Sequence, residues 1–487
     1  MNIKSLNNPI SQPSITVIEK KVRHYLFDIA LLLVVGLVLY YGSYWKSLDL
    51  HSAAAQQTDV ARYECYTVAF WQGLSALHEL PEQQCTFITH PTATTHVLST
   101  TDILQKLAAA GAPSWLTRLI ATQSPTLPLH ALPSEYPLIV MVPFSLAAIA
   151  PLPFYQIAFA LLMSLVMATM YILLIRFAGR WTAITFLIFL VVGCWGTALG
   201  RFDLLPAILT LVALLCAERA HWSWAFALLA LATLAKIYPI LLIPAFLIAQ
   251  QTSHPGKWFT WPRFIPPAIF LAVCIGVTAL SLFLSVAGTL APLSYFGNRP
   301  IEVESLSSSV LWLSHVLAGY PLTYGFSFGS RNMFSPLSEK VALGGTILLI
   351  AGWLYTSWLQ WRGKITLALS SLLVLLIIIC TGKVFSAQYL IWVAPLMAYV
   401  SRGNKKWLIG WCSISLLTTL IYPFLYERPN FPFGPYLPDF YLTVFVRNAL
   451  LFCFVCILLY SVSRRHSAQT LPSPMTRSPS STGNTGP

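Results

Sequence analysis

Apolar runs about as long as a bilayer is thick recur from Tyr25 almost to the end of the chain, and no other feature limits its fold so sharply. A helix needs ~20 such residues to cross ~30 Å of hydrocarbon, and inside that layer every backbone N–H and C=O has to be satisfied within the segment or by a closed barrel. Runs of this length predict an all-α fold, a polytopic transmembrane helical bundle, and the frequent Gly and Pro within them do not argue for a barrel. Only 9% of the 487 residues are charged and 56% are hydrophobic, whereas an ordinary soluble domain carries ~25% charged residues. That balance excludes a water-facing exterior.

Candidate spans cover roughly 25–45, 137–151, 154–176, 181–199, 203–217, 222–249, 264–288, 338–360, 365–381, 387–401, 405–423 and 441–463, which gives about 10–13 spans. The first run is too long for a signal-peptide core, although Ala53, Ala54 and Ala55 loosely imitate a cleavage site, and it reads as an uncleaved first span. Strict alternation leaves one conflict, because it puts Arg176 and Arg180 outside. Either a short Pro-rich piece near Pro137, Pro143, Pro151 and Pro153 or the stretch interrupted at Pro239 is then re-entrant or broken.

The net charge of +13 does not form a stripe of the kind that binds nucleic acid, so no nucleic-acid partner is expected. Lys20, Lys21 and Arg23 precede the first span, Arg402, Lys405 and Lys406 separate two late spans, and Arg464 and Arg465 follow the last. This is the pattern of cytoplasmic anchors. Both termini are expected in the cytoplasm of a cell-membrane, multi-pass protein. A cytoplasmic segment 1–24, a membrane domain 25–463 and a Ser/Thr/Pro-rich disordered tail 464–487 follow from it. The segment 46–135 has the opposite balance, with seven acids against four bases, and is expected to form a large extracytoplasmic first loop. Cys65 and Cys85 are the only cysteines in that loop. A disulfide persists on that side of the membrane, and closing ~20 residues contributes roughly 3 kcal/mol.

No P-loop, GxGxxG, HExxH or Asp-x-Asp pair is present, so neither a metal nor an organic cofactor is expected. What remains is a short set of ionisable residues in or beside the membrane, which are functional candidates because burying them is costly: Asp59, Arg201, Asp203, Lys236, Glu302, Glu304, His315, Arg331, Lys383 and Arg447. Six stretches that hold most of them stand in a suggestive order: Thr58-Asp-Val-Ala-Arg-Tyr63, Glu135-Tyr-Pro137, Gly200-Arg-Phe-Asp-Leu-Leu-Pro206, Lys236-Ile-Tyr-Pro239, Arg299-Pro-Ile-Glu-Val-Glu-Ser305 and Lys383-Val-Phe-Ser-Ala-Gln-Tyr-Leu-Ile-Trp392.

In this order the motifs resemble those of glycosyltransferase family 87, a bacterial branch of the GT-C membrane glycosyltransferases, over roughly residues 25 to 460. The resemblance implies a GT-C type bundle, a polyprenyl-phosphate-sugar donor such as polyprenyl-phosphate-mannose, a glycan or glycolipid acceptor, and an acidic catalytic base in the first outer loop, where Asp59 stands. The chain departs from the family at Leu138, where a second Pro is usual, and in the long stretch from Thr86 to Pro133, both of which bear on which sugar and acceptor are used.

Elementary chemistry agrees with that reading. Transfer from a polyprenyl phosphate needs a base for the acceptor hydroxyl and cations for the departing phosphate. Asp59 is the candidate base, with Glu64 as substitute; the plain alternative is an acid that caps an amphipathic helix running through Trp71. Lys236, Lys383, Arg331 and His315 are candidate phosphate ligands, and Arg62 and Glu302 further candidate substrate contacts. For Lys236 the alternative is an internal salt bridge to Asp203. A transporter or flippase, or a non-catalytic envelope protein, are the rival classes; the first is expected to show pseudo-symmetric halves, and the sequence has none.

Overall fold

The structure, a computed structural model, describes residues 15–49, 52–90, 99–253, 260–426 and 438–464. The expected tail from 465 on, residues 1–14 of the expected N-terminal segment, and 91–98 of the first loop lie outside the described residues.

The protein is a helical membrane protein. Six helices are long and apolar enough to cross a membrane: Val22–Tyr44, Leu152–Ala178, Trp261–Leu284, Ser338–Trp361, Lys405–Leu425 and Asp439–Ser463. Shorter apolar helices, including Arg180–Gly193, Leu204–Ala217, Trp222–Ala235, Leu367–Thr381 and Tyr389–Ser401, pack among them. Leu367–Thr381 and Tyr389–Ser401 are almost wholly enclosed. By contrast, Trp261–Leu284 and Ser338–Trp361 bury little and stand at the periphery with apolar side chains outward, as suits helices that face hydrocarbon.

Two of the expected spans are organised differently. Leu138–Val140 is a short 3-10 turn continued by the helix Met141–Ala147, a piece only ~15 Å long at 1.5 Å per residue, half of what a crossing needs. It enters and leaves at one end of the bundle: the Tyr155 hydroxyl donates to the Phe144 carbonyl at 3.1 Å, and the Gln156 amide to the Ala55 carbonyl at 2.9 Å. The 222–249 run is two antiparallel legs. Trp222–Ala235 stops, Lys236 is extended (φ −156°, ψ 135°), Tyr238–Leu242 forms a 3-10 turn, and Ile243–Ser253 runs back. Pro239 accounts for the break after Ala235, because it has no N–H to give the Ala235 carbonyl four residues back and its ring would clash with that carbonyl in a continuous helix.

These two changes remove the charge conflict. Arg180 donates to the Asp28 carboxylate at 2.7 Å, which also accepts from the Tyr171 hydroxyl at 2.8 Å, so Arg180 shares an end with the beginning of the first span. That end also holds Arg219 stacked 3.9 Å over Phe177, the Tyr399–Glu218 bond, and Lys364 donating to the Ser463 carbonyl at 2.7 Å. The other end carries the 46–135 segment and is called the loop end below.

Segment 289–337 departs from an all-α description. Three antiparallel strands, β1 (Ile301–Glu302), β2 (Thr323–Ser327) and β3 (Ser330–Phe334), form a sheet in the order β1-β3-β2, with Ile301 opposite Met333 and Gly325 opposite Asn332. Phe328 and Gly329 at the hairpin tip both have positive φ (54° and 66°), the conformation that matches a two-residue turn to the twist of its strands. Ile301, Val303 and Met333 bury themselves against Leu311, Tyr441 and Val444, so the sheet is a small cap seated on the helices and not a separate layer.

Close helix contacts depend on small residues. A Cβ built on Gly42 falls 2.3 Å from the Trp195 carbonyl oxygen and 2.6 Å from its indole, where only backbone displacement makes room. Gly42→Ala is expected to cost about 1–3 kcal/mol, read as a lower midpoint of thermal unfolding in detergent; Gly36→Ala, which meets nothing within 4 Å, is the matched control and is expected to leave it unchanged.

Candidate functional site

The helix Asp59–Gln72 begins at Thr58, whose hydroxyl accepts the Ala61 N–H at 3.1 Å, a regular N-cap. Asp59 is therefore in the first turn, where a carboxylate suits the helix dipole. Its side chain is engaged beyond that, forming an ion pair with Arg201 at 2.5 Å, both partners about one-fifth exposed. Arg201 comes from the turn between two apolar helices, so the pair ties the first loop to the bundle. Beneath it lies an aromatic floor: Tyr63 stacks on Phe144 at 4.2 Å, and Phe159, Phe202 and Tyr136 meet Tyr63 within 6.0 Å.

Around this pair the loop end gathers the other motifs. Arg62, three residues after Asp59 in the same helix, pairs with Glu135 and lies 4.5 Å over the Phe87 ring. Lys236, left at the broken helix end, pairs with Asp203 at 2.5 Å, and the same carboxylate oxygen accepts the Trp392 indole N–H at 2.5 Å. Phe202 and Trp392 face the ammonium at 5.1 and 5.0 Å, a cation–π enclosure. Tyr238 and Tyr389 stack on Trp392 at 4.3 and 4.1 Å. Lys236 thus has the internal salt bridge that its position allowed.

The remaining candidates lie on the cap and the 381–388 loop. Glu302 is enclosed and its Oε2 accepts the Phe385 N–H at 3.0 Å; burial, with Glu304 nearby, holds its carboxyl well above the usual range. Lys383 donates to the Gly297 carbonyl at 3.2 Å. Arg331 sits on β3, its N–H donating to the Tyr426 hydroxyl at 2.9 Å and its guanidinium 4.9 Å over that ring. His315 is near the C-terminal end of the helix Leu306–Ala318, its Nδ1 donating to the Tyr320 carbonyl at 2.6 Å. Among the described residues no group of three or more His, Cys, Asp or Glu has metal-binding geometry.

Two positions carry more than the sequence reading gave them. Arg299 was legible only as the first residue of its motif, yet its guanidinium lies 5.8 Å over Tyr295 in the same cluster. Its signal was weak because an arginine after an apolar helix looks like any interfacial anchor. Glu64, the substitute base expected from the sequence, is enclosed. It is 6% exposed and its Oε2 accepts the Gln84 amide at 2.8 Å, which donates also to the Ala61 carbonyl at 3.1 Å. Cys65 and Cys85 are joined in a disulfide, with Cα atoms 5.7 Å apart, and this bond places Gln84 over Glu64.

Burial raises the Glu64 carboxyl to about 7. A raised acid pKa makes folding harder once the unfolded chain can ionise: the penalty is absent below about 4.5, grows as pH rises, and levels off above about 7, where it reaches roughly 3 kcal/mol. Glu64→Gln is expected to remove it. The midpoint of thermal unfolding of the variant, relative to wild type, is expected to be higher at pH 8 than at pH 5; a pH-independent difference would contradict the assignment.

Compared with known proteins, the chain matches no family model, no curated protein and no solved structure.

Proposed function

We propose that the protein is a membrane glycosyltransferase of the GT-C kind, which moves a sugar, with mannose the expected one, from a polyprenyl-phosphate carrier to an acceptor hydroxyl. The observation that carries this reading is the Asp59–Arg201 pair at the loop end, set among Lys236, Arg62 and Arg299. A single displacement at the anomeric carbon inverts its configuration. Asp59 accepts the proton of the attacking hydroxyl as the bond from that oxygen to carbon forms, and the electron pair of the breaking bond leaves with the phosphate. Arg201 keeps the carboxylate aimed, which is worth more than an unrestrained carboxylate because near-attack geometry is fixed before reaction.

The loop end is taken as extracytoplasmic, since it bears the acidic first loop and the disulfide, and a disulfide persists in an oxidising compartment. The opposite end, with Arg180 and Lys364 beside the helix termini, is then cytoplasmic. The chain makes an even number of passes with both termini on that side.

The test is transfer itself. Wild-type protein in vesicles is given synthetic polyprenyl-phosphate-mannose with labelled sugar and a panel of glycolipid and glycan acceptors. A labelled, inverted product is expected; hydrolysis or movement of intact donor across the bilayer without a product would favour the transporter class instead.

A further inference from the structure

Three of the cations at the loop end are already neutralised: Arg62 by Glu135, Arg201 by Asp59 and Lys236 by Asp203. Arg299 and Lys383 are not. Among the described residues, no carboxylate stands within ion-pair distance of either. Two hydrogen bonds join their segments: the Glu302 N–H donates to the Lys383 carbonyl at 2.9 Å, and the Lys383 ammonium donates to the Gly297 carbonyl at 3.2 Å. The 383–385 loop therefore runs beside the segment 297–302 that carries Arg299, whose Nε is buried with no hydrogen-bond partner.

The nearest acid does not compensate them. Glu302 is turned to the Phe385 N–H, outside ion-pair distance of both cations, and burial holds its carboxyl well above the usual range. Burial and then the Arg299 guanidinium push the Lys383 ammonium down, as expected of two like charges without a counterion.

We propose that Arg299 and Lys383 form the seat of a phosphate ester, the guanidinium fork taking two oxygens and the ammonium acting as a point charge on a third. Beside the seat runs the helix Val286–Asn298, on which Leu293 and Phe296 are exposed, so the phosphate is suited to carry an apolar chain. The proposal deepens the transfer reading and rests on it for the identity of the carrier. It separates the phosphate ligands from Lys236 and Arg62, whose charges are already matched.

The experiment measures binding by the purified full-length chain in detergent, with farnesyl phosphate, inorganic phosphate and farnesol as probes. Farnesyl phosphate is expected to bind, Arg299→Gln and Lys383→Gln to weaken it at least tenfold each, and Arg299→Lys to recover part of the loss. Arg118→Gln, an exposed position far along the first loop, is expected to change nothing. A preference for farnesyl phosphate over inorganic phosphate assigns the seat to a lipid carrier; equal affinities keep the seat and assign it to a free anion. Farnesol binding as tightly as farnesyl phosphate, or wild-type affinity in either Gln variant, overturns the proposal. The two readings fail separately. Unchanged binding in Arg299→Gln overturns the seat even if transfer is observed, whereas binding lost in that variant while the wild-type protein yields no labelled product upholds the seat and overturns the transfer reading.

Discussion

Asp59→Asn is expected to lower the rate of sugar transfer from polyprenyl-phosphate-mannose by a factor of ~10²–10⁴, the range that a positioned general base supplies. The amide keeps the shape of the carboxylate and still has an oxygen for Arg201, so the fold and donor affinity are expected to hold while the turnover falls. Arg201→Gln makes the complementary change. It leaves the base in place but unaimed, and a smaller loss in turnover is expected, with Arg201→Lys restoring part of it because the charge remains but the two-pronged geometry does not. If Asp59→Asn transfers at the wild-type rate, the carboxylate is a helix-start residue and nothing more, and its pairing with Arg201 is structural.

Arg447→Met is expected to produce the largest loss of stability, about 3–5 kcal/mol, because it breaks a fully buried charged network and leaves its partners behind. Arg447 is fully buried. It donates to the Glu304 carbonyl at 2.5 Å, to the Thr418 hydroxyl at 3.3 Å and to the Asn448 amide oxygen at 2.9 Å, and its guanidinium stacks 3.9 Å over Phe385. Asn448 adds bonds to the Glu304 and Ser305 carbonyls at 3.2 and 2.9 Å. Glu304, whose Oε2 is 3.9 Å from Arg447, would be left enclosed without a cation.

The measurement is the midpoint of thermal unfolding in detergent for Arg447→Met and for the double variant with Glu304→Gln. The double variant is expected to recover part of the loss, since it removes the stranded carboxyl. A midpoint within about 2 °C of wild type for Arg447→Met would show that the network contributes little. The network also connects to the loop end: Phe385 lies on Arg447 and donates to Glu302, so it holds the 383–385 loop from below. Loosening it is expected to weaken farnesyl phosphate binding as well.

Much of the architecture was legible in the sequence because the relevant physics is local. Transfer of a helix into hydrocarbon depends on a window of ~20 residues, so the long helices fall where the apolar runs lie. The break before Pro239 is equally local. The Leu138–Ala147 piece was harder, because its composition is that of a span and only the contacts of Phe144 and Tyr155 show that it enters and leaves at one end. The sheet in 289–337 was hidden for a similar reason: its strands are short, β1 has two residues, and alternation over so few positions carries no readable period.

The sequence by itself determined that the chain lives in a membrane, which segments are helical, and which few charged residues have to be accounted for. Only the tertiary structure decided how those charges are matched. Asp59 and Arg201 are 142 positions apart, and Glu302 meets Phe385 across 83. No local pattern selects such partners, because a buried charge takes whichever counterion the packing of several helices brings within a few ångströms, and the cost of leaving it unmatched is paid by the whole fold. For that reason Lys236, a phosphate candidate from its position in the sequence, is neutralised by Asp203, while among the described residues no carboxylate stands within ion-pair distance of Arg299 or Lys383.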